Sequence, residues 1–540
     1  MTTQDQPEHP ASPSAYDEIP YQSHPFPQSQ PARLAAMATL FGLTPPDIRS
    51  ARVLELGCAA GGNLIPMAAT WPESQCLGVD LSARQIEEGQ ATVRELGLSN
   101  CELRHASITD ITPGWGQFDY IVCHGVWSWV PEEVRAHIFQ VCRDNLAPDG
   151  VAYISYNVYP GWHMRGAIRD LMRWHTASFT DPAQKAQQAR AVLQFLCDAT
   201  PAEGDAYGMM LRSEAQLLAR QGDYYLLHDH LEENNHPVYV HEFFTQCAAY
   251  GLEYLAEAEV GSMLPNGLPQ ATIETLRRIA PDIVRMEQYL DYLRNRTFRQ
   301  TLLVKAGQII NRNLTPASLE KLYFASALKA QGSVDPKAHG NARFVLPNGV
   351  SVDTTGELTK AALLSFADAW PQPLSFSRLL DEARQRVEGD LIQQPDPAGR
   401  PVAAQALGTD LLQLYITGLI EVWPHALPLA TGVSAQPRAS ALARRQAKQT
   451  PVGSQGTITN MRYESVGLDA VTTRILALLD GVHDRPAIVN ALEPLFADGT
   501  LTVQRDGHAV TEPVLRRGML VTFLDDALRR LRSAAFLQAE

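Results

Sequence analysis

VLELGCAAGGN, residues 53–63, decides the fold of this chain. An apolar, strand-like run at 53–56 meets a turn almost bare of side chains, and a helical pattern follows Asn63. Short, near-continuous apolar runs separated by helices mark a parallel sheet covered on both faces. Such runs recur as CLGVD (76–80), CELRHAS (101–107), FDYIVCHG (118–125) and GVAYISYN (150–157). Helix-like LSARQIEEGQATVRELG (81–97) and PEEVRAHIFQVCRDNL (131–146) lie between them. The alternation predicts an α/β fold with a doubly wound, Rossmann-like sheet.

Further out, residues 1–14 are polar and Pro-rich, and are expected to be disordered. Residues 163–250 have a helical texture and read as an insertion over the sheet's carboxyl edge. Two more strand patterns, GLEYLAEAEV (251–260) and TFRQTLLVKA (297–306), flank a predicted helix at 271–294 and complete a first unit at 15–307. A second unit, 308–425, has strand-like ARFVLPNGVSVD before helices at 357–369 and 374–387. Residues 426–460 contain no acid and lack an apolar period, which reads as a linker. The third unit, 461–540, repeats helix, turn, helix and short strand, so both later units are expected to be winged-helix-like α+β modules.

The 540 residues carry a net charge of −14, against a large nucleic-acid footprint. Seven unpatterned cysteines (58, 76, 101, 123, 142, 197, 247) read as small buried hydrophobes in a reducing compartment. No run is long and apolar enough for a membrane span, and the start lacks a signal-peptide core. The expectation is a cytoplasmic protein without nucleic-acid or membrane partners.

A bare turn at a helix start lets a ligand reach backbone N–H groups. Two ligand classes use this arrangement. A dinucleotide asks for G-x-G-x-x-G, and here Ala59 stands at the second glycine. S-adenosylmethionine sites read E/D-x-G-x-G-x-G, here Glu55, Gly57, Ala59 and Gly61, again with alanine in the middle. An acid before the turn suits a ligand with an ammonium and a sulfonium and no phosphates. Asp80, ending the second strand, can accept both ribose hydroxyls, which either cofactor would use. Ser107 follows the third strand, where adenine contacts fall. The plainer alternatives are a strand-end acid for Glu55 and a helix N-cap for Asp80, a role Ser82 can also fill.

With YDEIPYQSHPFPQSQP (16–31), SYNVYPGWHMRGAIRDLM (155–172), DYYLLHDHLEENNHPVYVHEF (223–243) and EQYLDYLRNRTFRQTLL (287–303), the chain resembles class I S-adenosylmethionine-dependent methyltransferases that carry a methyltransferase regulatory domain. These include rickettsial-type protein-lysine methyltransferases that modify outer-membrane proteins. The resemblance implies S-adenosyl-L-methionine as cofactor, under an N-terminal lid with Tyr16, Tyr21 and Ser23 in contact. The candidate cofactor set also takes in Asn63, Leu81, Gln85, Ile108 and His124. The implied acceptor is a protein or peptide amine, lysine above all. A small-molecule acceptor and a cofactor-binding regulator without turnover are the alternatives, and the oligomeric state stays open.

Methyl transfer is an in-line displacement, so holding both partners in attack geometry supplies much of the acceleration. A lysine amine, with a pKa of about 10.4 in water, must also shed a proton. An apolar, aromatic pocket beside a sulfonium promotes that. Trp127 and Trp129 follow the fourth strand; Tyr156, Asn157, Tyr159 and Trp162 follow the fifth. Aromatic faces hold ammonium groups, and Asn157 can accept a hydrogen bond from the amine. The N/D-P-P-Y signature of nucleic-acid amino methyltransferases would follow the fourth strand, where this chain has His124-Gly125-Val126-Trp127. Packing of the inserted helices on the sheet is the plainer reading of these aromatics. His228, His230, His236 and His241 crowd one segment with Asp229 and Glu232, but lack H-x-x-x-H spacing, and no metal is expected.

Overall fold

The computed structural model describes residues 23–201, 204–387, 402–502, 504–505, 508–510 and 512–539. The expected tail at 1–14, Tyr16 and Tyr21 lie outside the described residues. Seven strands form the main sheet: β1 (Arg52–Leu56), β2 (Gln75–Asp80), β3 (Cys101–His105), β4 (Phe118–Cys123), β5 (Leu146–Asn157), β6 (Leu252–Glu257) and β7 (Phe298–Lys305). Their order is 3-2-1-4-5-7-6, with β7 antiparallel to both β5 and β6 and the other pairings parallel. The chain leaves β1 for β2 on one side and later sets β4 on the other. Such a reversal opens a crevice above the strands' carboxyl ends. Glu55 sits at the floor of that crevice, in register between Gly78 and Val122.

The inserted helices Gly161–Thr176, Pro182–Ala199 and Ala206–Ala219 share a core of their own, built on Met172, Leu193, Leu211 and Leu226. The helix expected at 271–294 is two helices, Gln270–Ile279 and Ile283–Arg294. Pro281 has no N–H to continue the first, and Asp282 caps the second by accepting from Arg285 N at 2.8 Å. The supposed linker 426–460 is also corrected. It holds a helix, Ala441–Gln449, capped by Ser440, with Ala443 and Ala447 buried against the C-terminal core. A stripe of alanines carries too little apolar signal to show in the sequence pattern. Strand Gly456–Thr459 follows and pairs with Ser465–Leu468. All seven cysteines are buried and unpaired. Among the described residues no helix is long and apolar enough to cross a membrane.

The reversed strand is anchored by charge. Arg299 of β7, fully buried, donates to Glu257 of β6 at 2.7 Å, and to Glu287 and Asp291 of helix Ile283–Arg294 at 2.8 Å each. Arg296 adds a second cation, 3.0 Å from Asp291. Burial pushes the Glu287 carboxyl up to about 7, against the pull of Arg299. Breaking such a set from one side leaves uncompensated buried charge, typically at a cost of about 3–5 kcal/mol. Arg299→Leu is therefore expected to lower unfolding free energy by about that amount in urea titrations, and a loss below about 1 kcal/mol would contradict this account of β7.

Candidate functional site

The turn after β1 is built around three residues in the left-handed region: Gly57 (φ 72°), Ala59 (φ 49°) and Gly61 (φ 75°). Such a conformation costs a non-glycine residue about 1–2 kcal/mol, and Ala59 adopts it nonetheless. Its N–H donates to Asp80 Oδ2 at 2.8 Å, which ties the turn to the end of β2. Asp80 Oδ1 accepts from Ser82 N at 2.9 Å, and Ser82, not Asp80, caps the next helix by accepting from Gln85 N. A carboxylate has about four lone-pair sites, more than these two bonds take up.

The glycines are bare for different reasons. A Cβ on Gly57 would meet Val126 Cγ2 at 2.5 Å, and one on Gly61 would press on Ile65 and Leu103 at 3.0 Å. At Gly62 the close neighbour is the chain's own N-terminal arm, and a Cβ there would collide with the Ser23 carbonyl group. Gly62 N donates to Ser23 Oγ at 2.7 Å. The arm is then pinned by Asn63, whose Oδ1 accepts from Phe26 N at 2.9 Å and Gln30 Nε2 at 2.8 Å. Asn63 Nδ2 donates to Ser29 Oγ at 3.1 Å and Glu55 Oε1 at 2.8 Å. Glu55 Oε2 is buried with no partner among the described residues. Desolvation raises the Glu55 carboxyl to about 8, opposed by the Asn63 bond and aided by Asp80.

A cavity of about 640 Å³ opens above this floor. Ser23, Glu55, Gly57, Ala59, Asn63, Asp80, Leu81, Gln85, Ser107, Ile108 and His124 all line it, as do Asn157, Trp162 and Trp129. Gly61 does not, and its part is to turn the chain and pack on Ile65 and Leu103. Three aromatic candidates also fall elsewhere. Trp127 is fully buried against Phe243 and Tyr156, with ring centroids 5.2 and 5.7 Å away. Tyr156 stacks on Phe243 at 3.7 Å and pairs its hydroxyl with Thr301. Neighbours on a strand face opposite ways, so with Asn157 on the cavity Tyr156 points into the core. Tyr159 stacks on His163 at 4.1 Å, outside the cavity lining.

Asn157 is held firmly. Its N–H donates to Ser128 Oγ at 2.8 Å and its Nδ2 to Asn235 Oδ1 at 2.9 Å, while no donor among the described residues occupies its Oδ1. His124 Nδ1 lies 2.8 Å from the Tyr153 hydroxyl, and Phe26 covers the ring at 3.8 Å. Desolvation pushes His124 down to about 3, so it is neutral at physiological pH. The sequence reading missed His24 and Phe26 of the arm and Phe298 of β7 as wall residues. It also missed Arg165 and Tyr225 from the insertion. The crowding of His228 and Asp229 was visible, yet only the fold brings that segment to the cavity. Among the described residues no group of three or more metal-ligating side chains occurs.

The orphaned Glu55 oxygen and the Asp80 carboxylate, beside a Gly57–Ala59 turn that lines the cavity, fit a nucleoside with a cationic amino-acid end. Comparison with known proteins agrees. Residues 53–150 match the family described as "Methyltransferase domain", 222–305 "Predicted methyltransferase regulatory domain", and 435–536 "PKMT, C-terminal winged helix domain". The regulatory match covers the end of the insertion with β6 and β7, where the sequence reading has 163–250. The winged-helix match begins inside the supposed linker. An uncharacterised protein of Rickettsia prowazekii is 38% identical over 529 residues, covering 97% of this chain and 93% of that one. The structure of PKMT2 from Rickettsia typhi in complex with AdoHcy superposes with a TM-score of 0.86 at 32% identity, over 96% of this chain and all of that one.

The Glu55 carboxyl generates a sign-definite expectation. Below its ordinary value of 4.5 it is protonated folded or unfolded. As pH rises the unfolded chain loses the proton first, while the folded chain keeps it to about 8, so Glu55 withdraws stability progressively between those values. Each displaced unit amounts to about 1.4 kcal/mol. In ligand-free protein the stability of Glu55→Gln relative to wild type should therefore climb from pH 5 to pH 8, and parallel curves would remove the assignment.

Proposed function

We propose, from the premise that this chain belongs to the class I S-adenosylmethionine-dependent methyltransferases with a regulatory domain, the family of rickettsial PKMT2, that its acceptor is a lysine amine of a protein. S-adenosylmethionine is the cofactor and methyl transfer the activity. When bound, the cofactor supplies an electrophilic sulfonium methyl. Asp80 would hold the sugar hydroxyls and the Glu55 Oε2 the ammonium end, under an arm that excludes water.

One observation carries the acceptor reading. The cavity runs without a break from the Gly57–Ala59 turn and Asp80 to a wall holding Trp129, Trp162 and Asn157. Trp129 and Trp162 give that lining aromatic surface, and Asn157 adds an amide. An aromatic face attracts an ammonium by about 0.5–2 kcal/mol, and desolvation there lowers an amine's pKa toward the reactive neutral form. The Asn157 Oδ1 accepts one amine N–H and aims the lone pair, its own orientation set by Asn235. The winged-helix domain at 435–536 supports a macromolecular acceptor, since a small one needs no such attachment. Seven buried, unpaired cysteines support a reducing compartment, and the reading places the enzyme in the cytoplasm.

Incubating the purified chain with methyl-labelled cofactor and fractionated lysate tests this reading. Label is expected on lysine in the protein fraction, and label confined to small molecules would overturn it. Asp80→Ala should weaken S-adenosylhomocysteine binding at least about tenfold by calorimetry, equivalent to about 1.4 kcal/mol. Unaltered affinity would take Asp80 out of the sugar site.

A further inference from the structure

The cavity wall facing the Gly-rich turn comes from the insertion, and its geometry is unusual. Leu226–His230 is wound as a π-helix directly after the short helix Asp223–Tyr225. Single π turns re-aim side chains and gather at functional sites. Here the turn sets Tyr225, His228 and Asp229 on the cavity. His230 is not among the lining residues: it is buried, with Nε2 2.9 Å from Glu214 Oε1. Glu214 also pairs at 3.1 Å with Arg165, which itself lines the cavity. The neighbouring Tyr225 hydroxyl pulls the Asp229 carboxyl down, and Asp229 forms no ion pair among the described residues.

Val130, Val134, Trp162 and Phe298 give the same cavity apolar lining. A ligand seated there needs an apolar stem and a cationic tip. We propose that Asp229 anchors the acceptor's ammonium and takes its proton, which fits the cavity to an unbranched alkyl-ammonium such as the end of a lysine side chain. This deepens the protein-amine reading above and rests on it.

The balance is simple. The Asp229 carboxylate removes one proton from R–NH3⁺, leaving R–NH2 and a neutral acid. The nitrogen lone pair forms the bond to the methyl carbon as the carbon–sulfur bond breaks, its electron pair going to sulfur. The positive charge passes from sulfonium to methylammonium, and Asp229 returns its proton to water. Burial makes Asp229 a better base than an ordinary aspartate by raising its carboxyl, although Tyr225, His230, Arg165 and His228 pull the other way. Glu214 in turn pairs with two of those four, Arg165 and His230. Across the cavity stand His24, Glu55, Asp80 and the neutral His124.

The test compares the full chain with Asp229→Asn, using n-butylamine and a short lysine-containing peptide. At pH 7 kcat/KM should fall about 100-fold or more, the usual scale for a lost acid–base group. The deficit should close as pH approaches the amine's own pKa of about 10.4, where the solvent does the deprotonation. Without turnover, n-butylammonium should bind the S-adenosylhomocysteine-saturated variant at least about tenfold more weakly than wild type, while S-adenosylhomocysteine affinity stays the same and certifies the fold. Tyr225→Phe should move the pH profile with a smaller loss. Methylation by wild type and Asp229→Asn with superimposable pH profiles, or an equal deficit at every pH, would overturn the inference alone. Failure of the wild-type chain to methylate either amine would overturn the protein-amine reading and this inference with it.

Discussion

One buried amide holds the site together. An asparagine side chain offers two donor hydrogens and two acceptor lone pairs, and Asn63 uses all four inside the fold. Two of the bonds reach the backbone and Gln30 of the N-terminal arm, one reaches Ser29, and one reaches the Glu55 carboxyl on the sheet floor. A buried polar group left unpaired costs about 1–3 kcal/mol, so the four bonds stand or fall together. The arm, the Gly-rich turn and the acid under the ligand therefore have a single relative geometry. Glycine at position 62 follows from the same requirement, because the arm's backbone occupies the volume a Cβ would need.

The constraint travels outward through the helix that follows the arm. Gln30 precedes helix Pro31–Leu40, and Arg33 on that helix pairs with Glu421 at 2.6 Å. Glu421 lies on the strand Glu421–Trp423 of the second unit and also binds the buried Arg462 of the third. The Arg462 guanidinium rests over Trp370 at 4.4 Å. Trp71 Nε1, close behind the first crossover helix, donates to the Tyr463 hydroxyl at 3.0 Å. Charge and hydrogen bonding thus link the arm over the cavity to all three units. An uncompensated ion in so buried a network is costly, which gives the contacts a defined register.

Much of this was legible in the chain and some could not have been. Local signals sufficed for the strands and crossovers, because a doubly wound sheet repeats one pattern and its turn residues, such as Gly57 and Asp80, sit at fixed offsets from strand ends. The aromatic candidates show the limit. Tyr156 and Asn157 are adjacent, and only the sheet's two-sidedness says which one meets the cavity. Trp127 follows a strand end just as Trp129 does, yet one is core and the other is wall. Ala443 and Ala447 were invisible because alanine buries too little area to set a period. The π turn at Leu226–His230 has no sequence signature; its wall residues are brought to the cavity by packing of distant helices.

The two sides of the cavity are built to different rules. On the sheet side, rigid strands and a tight turn set the geometry, and Ala59 tolerates a strained backbone to keep its N–H on Asp80. On the other side, the insertion folds around its own core and meets the sheet through polar links that include Asn157 to Asn235 and the bridge from Val158 to Val238. A wall with an independent core can change its side chains without disturbing the floor of the cavity. Asn157 belongs to both, since its backbone is β5 and its amide is oriented by the insertion. The position of that one amide therefore ties the insertion's wall to a sheet floor that need not change.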